Sequence, residues 1–200
     1  MEHALQHGDQ AGARERDLAD ARERDLLDGA RARAKRLKLM IFDVDGVMTD
    51  GTLYYSERGE ELKALNIQDG HGVKMLRQHG VEVALITGRR SNAVELRAAN
   101  LGITHLYQGA EDKRVAYAGL LTLLGVAAEQ SGCMGDDLLD LPLITRCGFA
   151  ATVAAAPAAV RSRAHYIARA AGGRGAVREV CEFILDAQGT LERAIEAHLQ

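Results

Sequence analysis

Four short segments of this 200-residue sequence carry groups suited to moving a phosphoryl group. The run Asp43-Val44-Asp45-Gly46-Val47-Met48-Thr49-Asp50 sets two carboxylates two residues apart. Thr87-Gly88-Arg89 supplies a hydroxyl, Lys113 an ammonium, and Gly135-Asp136-Asp137 two further acids. Acids brought together repel one another and call for a cation. Oxygen ligands with no His or Cys beside them select Mg2+ over zinc, and Mg2+ held by carboxylates completes its octahedron with water and substrate phosphate. A carboxylate can then attack phosphorus, because the metal and Lys113 neutralise the charge it approaches. The second Asp of the pair can protonate the leaving alkoxide and later activate water. The Thr87 hydroxyl and nearby backbone N–H groups, Gly88 included, suit the phosphoryl oxygens. Each segment alone is bland: a DxD or a GDD is more often a turn, and a single lysine is usually solvated. Their joint order, each at the end of a strand, is what points to phosphoryl transfer.

The elements that must position these groups can be read from periodicity and caps. LKLMIF (Leu37–Phe42) and VEVALI (Val81–Ile86) are buried strands. Leu53–Leu65 reads as a β-hairpin around Arg58-Gly59. Asp69 is expected to cap a helix to His79, Ser91 a helix ending near Gly102, and Asp112 opens a helix to Leu124 with Gly125 after it. Ile103–Tyr107, Phe149–Val153 and His165–Ala168 read as strands, and Leu138–Arg146 and Ala176–Ala187 as helices. Ser131–Met134 is weak by propensity and is placed as a strand by the alternation. Strand and helix in alternation predict an α/β fold, a doubly wound parallel sheet in which ligands bind outside the carboxyl ends of the strands.

Residues 1–36 hold 8 basic and 8 acidic residues and the repeat ARERDL at Ala13–Leu18 and Ala21–Leu26. They read as a charged helical extension ahead of a core at 37–190, with a tail at 191–200. The net charge of −3 excludes a strongly basic nucleic-acid binder, and 4% aromatics with no Trp exclude a base-stacking platform. No run is long enough for a membrane span, since the longest uncharged apolar stretch, Cys147–Val160, is short and contains Pro157. The N-terminus lacks an apolar signal core, and three cysteines without CxxC spacing fit a reducing compartment, so the expected address is the cytoplasm.

Segments 44–86 and 88–112 are each too short for a separate lid domain of ~50 residues or more. An aspartyl phosphate must still be shielded from stray water. The expected cover is a partner subunit, with the two tyrosines and open edge of the hairpin pairing with its copies. The glycine-flanked Arg174 is expected either in a plain loop before a helix or on an arm reaching a neighbouring site.

DVDGVMTDG, LITGRR, Lys113 and GDDLLDLP resemble the four motifs of the haloacid dehalogenase superfamily. That resemblance implies Asp43 as nucleophile, Asp45 as general acid/base, Asp43, Asp45 and Asp136 on Mg2+, and Thr87 and Lys113 on phosphate. GEELKALNIQDGHGVK, LGITHLYQGAEDK and AGGRGAVREVCEFIL resemble more closely the family of 3-deoxy-D-manno-octulosonate 8-phosphate phosphatases, along nearly all of Leu37–Thr190. This closer resemblance implies a capless, Mg2+-dependent homotetramer of lipopolysaccharide precursor synthesis acting on a small sugar phosphate. Its substrate contacts would fall on Asp45, Asn66, Gln68, Asp69, Gly70, Lys74, Arg89, Arg97 and Lys113. Gln68 and Lys74 stand where some members have Arg, and His71 where an aromatic is common. Two other readings stay open: the same chemistry on a nonulosonate 9-phosphate, and a catalytically silent phosphatase-like scaffold.

Overall fold

The computed structural model describes residues 21–59 and 61–199. A first helix, α1, occupies 21–34, and the sheet begins after it with β1 (Leu39–Phe42), all four residues of which are buried. A small hairpin of β2 (Tyr54–Tyr55) and β3 (Glu61–Leu62) follows, then α2 (Ile67–Gln78), β4 (Glu82–Ile86), α3 (Asn92–Leu101) and β5 (His105–Tyr107). The second half contains α4 (Lys113–Leu124), β6 (Ser131–Met134), α5 (Leu141–Ile144), β7 (Phe149–Val153), α6 (Ala158–Arg161), β8 (Tyr166–Ala168), α7 (Ala176–Ala187) and α8 (Leu191–Glu196).

Six strands form one sheet in the order β5-β4-β1-β6-β7-β8, and every pair is parallel. β1 is therefore the switch point: the chain builds outward from it through β4 on one side and through β6 on the other. The crevice outside its carboxyl end is where such a sheet places ligands. SGCM earns its strand from tertiary context, since Gly132 lets Leu37 and Met40 lie against the backbone where a Cβ would meet Met40 Sδ at 2.8 Å. The hairpin stands apart as its own two-stranded sheet.

Several expectations shift in detail. Asn66, not Asp69, caps α2, accepting from Gln68 N at 2.7 Å and Asp69 N at 3.3 Å. Asn is as good a cap as Asp, and the Asp69 carboxylate is engaged elsewhere: it accepts from Arg178 N at 2.8 Å and Gly175 N at 3.3 Å, at the start of α7. The stretch read as one helix, Leu138–Arg146, is a 3-10 turn at Leu138–Asp140 followed by the single turn of α5, with Pro142 near its start. Helices α6 and α8 were not expected at all. The second ARERDL copy lies on the exposed first turns of α1, and the first copy lies outside the described residues. The last turn of α1 joins the core: Ala30 and Ala34 are buried, and Gln188 Nε2 donates to Ala34 O at 3.4 Å and to Leu37 O, just past the helix, at 2.9 Å. α8 likewise buries Ala194. Cys133, Cys147 and Cys181 are buried free thiols.

α7 packs on α2. Seven of its residues, among them Val180, Cys181 and Ile184, are buried. The approach is close enough that a Cβ on Gly72 would meet the Arg178 Cα at 3.0 Å and the Cys181 Cβ at 3.3 Å. A glycine inside a helix costs ~1 kcal/mol against alanine, so close packing is what makes it useful here. Gly72→Val should therefore lower stability by about 1–3 kcal/mol, the usual cost of overpacking. Chemical denaturation checks this, and a variant as stable as the parent would mean that the two helices can move apart freely.

Candidate active site

The loop after β1 is tightly wound. Val47 N, Met48 N and Thr49 N all donate to Val44 O, and Thr49 Oγ1 accepts from Gly46 N at 3.3 Å and Gly51 N at 3.2 Å. Gly46 takes φ +86°, and a Cβ there would lie 2.0 Å from Asp136 Oδ2. Only glycine fits both demands, and it lets the loop after β6 meet the loop after β1. Asp43 N donates to Met134 O at 2.9 Å, which fixes the register of the two strand ends.

At that junction carboxylate oxygens of Asp43, Asp136 and Asp140 lie within 4.8 Å of one another. Lys113, buried at the first turn of α4, faces them: Nζ is 2.8 Å from Asp43 Oδ1 and 2.5 Å from Asp140 Oδ1. Burial raises the Asp43 carboxyl to about 6, with the Asp140 charge adding to it and Lys113 opposing. Burial, then the charges of Asp43 and Asp140, raises Asp136 to about 7. Burial alone would depress the Lys113 ammonium, but the facing carboxylates of Asp43 and Asp140 outweigh it and hold it above its ordinary value. One ammonium, shared between Asp43 and Asp140, does not balance these acids.

Asp140 was not expected at the site. Its Oδ2 accepts from Asp136 N at 2.9 Å and Asp137 N at 3.1 Å, and its Oδ1 holds Lys113. Both oxygens are thereby occupied, so Asp140 orders the others, and Asp43 and Asp136 keep the free lone pairs. An all-oxygen, charge-rich donor set of this kind fits Mg2+. The sequence signal for Asp140 is its place three residues after Asp137, the capping-box spacing that the structure shows.

Thr87, at the end of β4, is buried beside this cluster on the same rim, with its N–H donating to Tyr107 O at 2.9 Å. Gly88 is exposed, with open space where a side chain would stand. Asp45 sits on the hairpin side. Its Oδ1 accepts from Lys63 Nζ, and Arg89 Nε is 3.9 Å from its Oδ2. Arg89 Nη2 also donates to Glu61 Oε2 at 2.7 Å and Tyr55 OH at 2.8 Å. Lys63 and Glu61 were also missed; the available signal was their two-residue spacing, with Glu61 on β3 and Lys63 directly after it, which suits one face of extended backbone.

The structure gathers Asp43, Asp45, Thr87, Arg89, Lys113 and Asp136 on one rim. Asn66, Asp69, Gly70 and Arg97 form a second group at the start of α2. Arg97 Nη2 donates to Asn66 O at 2.9 Å and lies where a Gly70 Cβ would be, 2.0 Å away. Gln68 is exposed and Lys74 half-buried on α2. Arg174 is exposed, 3.6 Å from Asp50 of its own chain. Between these groups a cavity of about 210 Å³ is lined by Asp50, Ala64, Leu65, Asn66, Gly173 and Arg174.

No protein-family model matches the chain. It is 51% identical over 167 residues, 84% of its length, to the 3-deoxy-D-manno-octulosonate 8-phosphate phosphatase KdsC of Yersinia pestis, covering 89% of that protein. A Legionella pneumophila structure described as a haloacid dehalogenase superfamily subfamily III A hydrolase superposes with TM-score 0.86 at 42% identity, covering 90% of this chain and 98% of that one. The Moraxella catarrhalis 3-deoxy-D-manno-octulosonate 8-phosphate phosphatase, solved with magnesium ion, phosphate ion and the sugar acid, superposes with TM-score 0.82 at 43% identity over 86% and 98% of the two chains. With the carboxylate and lysine cluster at the switch point of a parallel sheet, the chain belongs to the family of 3-deoxy-D-manno-octulosonate 8-phosphate phosphatases, within the haloacid dehalogenase superfamily.

Proposed function

We propose that this chain hydrolyses 3-deoxy-D-manno-octulosonate 8-phosphate to 3-deoxy-D-manno-octulosonate and phosphate, as a cytoplasmic enzyme supplying a lipopolysaccharide precursor. The observation that carries the reading is the meeting of Asp43, Asp136 and buried Lys113 at the end of β1, in a chain about half identical to enzymes of that name. Retention of the whole set speaks against a silent scaffold. The nonulosonate alternative shares this chemistry and differs only in the sugar.

Asp43, Asp136 and the backbone carbonyl of Asp45 would hold Mg2+, which when bound supplies positive charge to the phosphoryl oxygens. Asp43 attacks phosphorus and becomes the aspartyl phosphate. Lys113, held by Asp140, presents its ammonium to the phosphoryl oxygens, with the Thr87 hydroxyl and the Gly88 N–H as further donors. Asp45 protonates the departing sugar alkoxide, then takes a proton from the water that hydrolyses the aspartyl phosphate. Arg89, and the second group at Asn66, Gln68, Asp69, Gly70, Lys74 and Arg97, are assigned to the sugar acid.

The active unit in this reading is a homotetramer. Tyr54 and Leu62 are 45% and 62% exposed on the hairpin, whose two short strands leave both edges open. That surface fits its own copies in other subunits. Arg174, exposed on its glycine-rich turn, is assigned to an anion at a neighbouring site.

Asp43→Asn should lower turnover by about 10,000-fold or more, since a nucleophile is lost outright. Its melting temperature without metal should not fall, because one of three crowded acids has been neutralised. Phosphate release and calorimetry check both, and residual turnover near the parent's would end the aspartyl-phosphate mechanism.

Chelation should abolish activity and Mg2+ restore it. A carboxyl whose folded pKa is raised binds its proton more tightly in the native state. The metal-free chain therefore loses that stability as pH rises from the ordinary 3.8 through about 6 for Asp43 and about 7 for Asp136. Mg2+ competes with those protons, so its stabilising shift in melting temperature should be small at pH 5 and large at pH 8. A shift that is equal at both, measured by scanning calorimetry, would place the metal elsewhere.

Tyr54→Asp should dissociate the tetramer and lower activity in parallel, as seen by light scattering and phosphate release. A fully active monomer would remove the shared-site part of this reading.

A further inference from the structure

Lys63 is a lysine that the mechanism above does not use, yet its side chain is 1% exposed. Ionised lysines are seldom buried so completely unless paired. Its ammonium donates to Asp45 Oδ1 and lies 3.2 Å from Glu61 Oε1. Glu61 is fixed in turn by Arg89 Nη2 at 2.7 Å and by the Tyr55 hydroxyl, 3.4 Å away. The other oxygen of Asp45 is in the opposite condition: Oδ2 is buried and makes no hydrogen bond, with Arg89 Nε at 3.9 Å. The two oxygens of the acid/base are thus made unlike by the hairpin.

That asymmetry has a chemical consequence. A carboxylic proton does not sit on an oxygen already accepting from an ammonium. With Oδ1 taken by Lys63, the proton of the acid form must sit on Oδ2, the oxygen left without a partner. We propose that Lys63 is the positioning residue of the acid/base: it fixes the Asp45 carboxylate so that Oδ2 is the atom that exchanges protons with the substrate. As the phosphorus–oxygen bond breaks, Oδ2–H gives its proton to the sugar oxygen. When water attacks the aspartyl phosphate, the same Oδ2 takes the water's proton, and the acid form returns. Because Lys63 follows β3 directly, the hairpin carries this function as well as its exposed face. The proposal rests on the phosphatase reading and adds to it a residue outside the four motifs.

The test separates loss of a positioned acid from general damage. Aspartyl-phosphate formation is read by kcat/KM on two substrates with Mg2+ present: the sugar phosphate, whose alkoxide must be protonated, and p-nitrophenyl phosphate, whose leaving group needs little help. Lys63→Met should lower the ratio of the two kcat/KM values, sugar over aryl, by about tenfold or more, out of the 10²–10⁴-fold that general acid catalysis typically supplies. Lys63→Arg should bring the ratio back to within about threefold of the parent, since a guanidinium can still donate to Oδ1. Glu61→Gln, which loosens the lysine without removing it, should move the ratio the same way by less, and it decides the matter if Lys63→Met fails to fold. Equal losses on both substrates in a folded variant, or an unchanged ratio in both Lys63→Met and Glu61→Gln, would overturn the role of Lys63. A parent protein that releases no phosphate from the sugar substrate would instead overturn the phosphatase reading.

Discussion

One buried ammonium facing a corner of carboxylates is the constraint on which the site depends. Lys113 must reach Asp43 and Asp140 together, at 2.8 and 2.5 Å. It can do so only if α4 starts within reach of the ends of β1 and β6. The Asp112 cap and the parallel register of β1 with β6 set that start. Removing the ammonium from such a buried cluster typically costs about 3–5 kcal/mol, because uncompensated carboxylates remain. The same crowding leaves the site short of positive charge, and that shortage is what suits it to a divalent cation as well as a lysine. Fold stability and catalytic readiness here are two consequences of one electrostatic arrangement.

Glycines make the crowding possible. A Cβ on Gly46 would strike Asp136, and one on Gly135 would lie 2.3 Å from Asp140 Cβ. The acids approach one another through backbone that carries no side chain. The cost is conformational freedom in the unfolded chain, offset by hydrogen bonds such as those from Asp136 N and Asp137 N to Asp140.

Much of this was legible in the sequence because the signals were local. Gly102 and Gly125 end α3 and α4 in the left-handed conformation, as their places after apolar helical runs suggested. The ends of α7 matched to the residue, since its apolar stripe is strong and glycines flank it. What was not legible depended on distant partners. Asp69 reads as a cap from its neighbours alone, but Gly175 and Arg178, more than a hundred residues away, claim its carboxylate. Lys63 looks like one more charge on an exposed hairpin until the fold brings Asp45 to it. Asp140 is hidden in the same way, as an acid at the end of a motif whose earlier acids draw the attention.

The glycine-rich turn before α7 shows how far such coupling extends. A Cβ on Gly172 would lie 1.9 Å from Gly46 O, and Gly173 N donates to Val47 O at 2.9 Å. Asn66 Nδ2 reaches Gly173 O at 3.3 Å from the start of α2. The turn is thus packed, backbone to backbone, on the loop that carries Asp43 and Asp45. A side chain at Gly172 or Gly173 would push the loop after β1 out of place. This gives the GGRG segment a structural reason to be so characteristic, apart from whatever Arg174 touches. It also explains why Asp69 is buried at the start of α7 rather than left in solvent: its two hydrogen bonds pin the end of the turn. Among the described residues no lid domain covers the loop after β1, and the glycine turn before α7 packs against that loop instead.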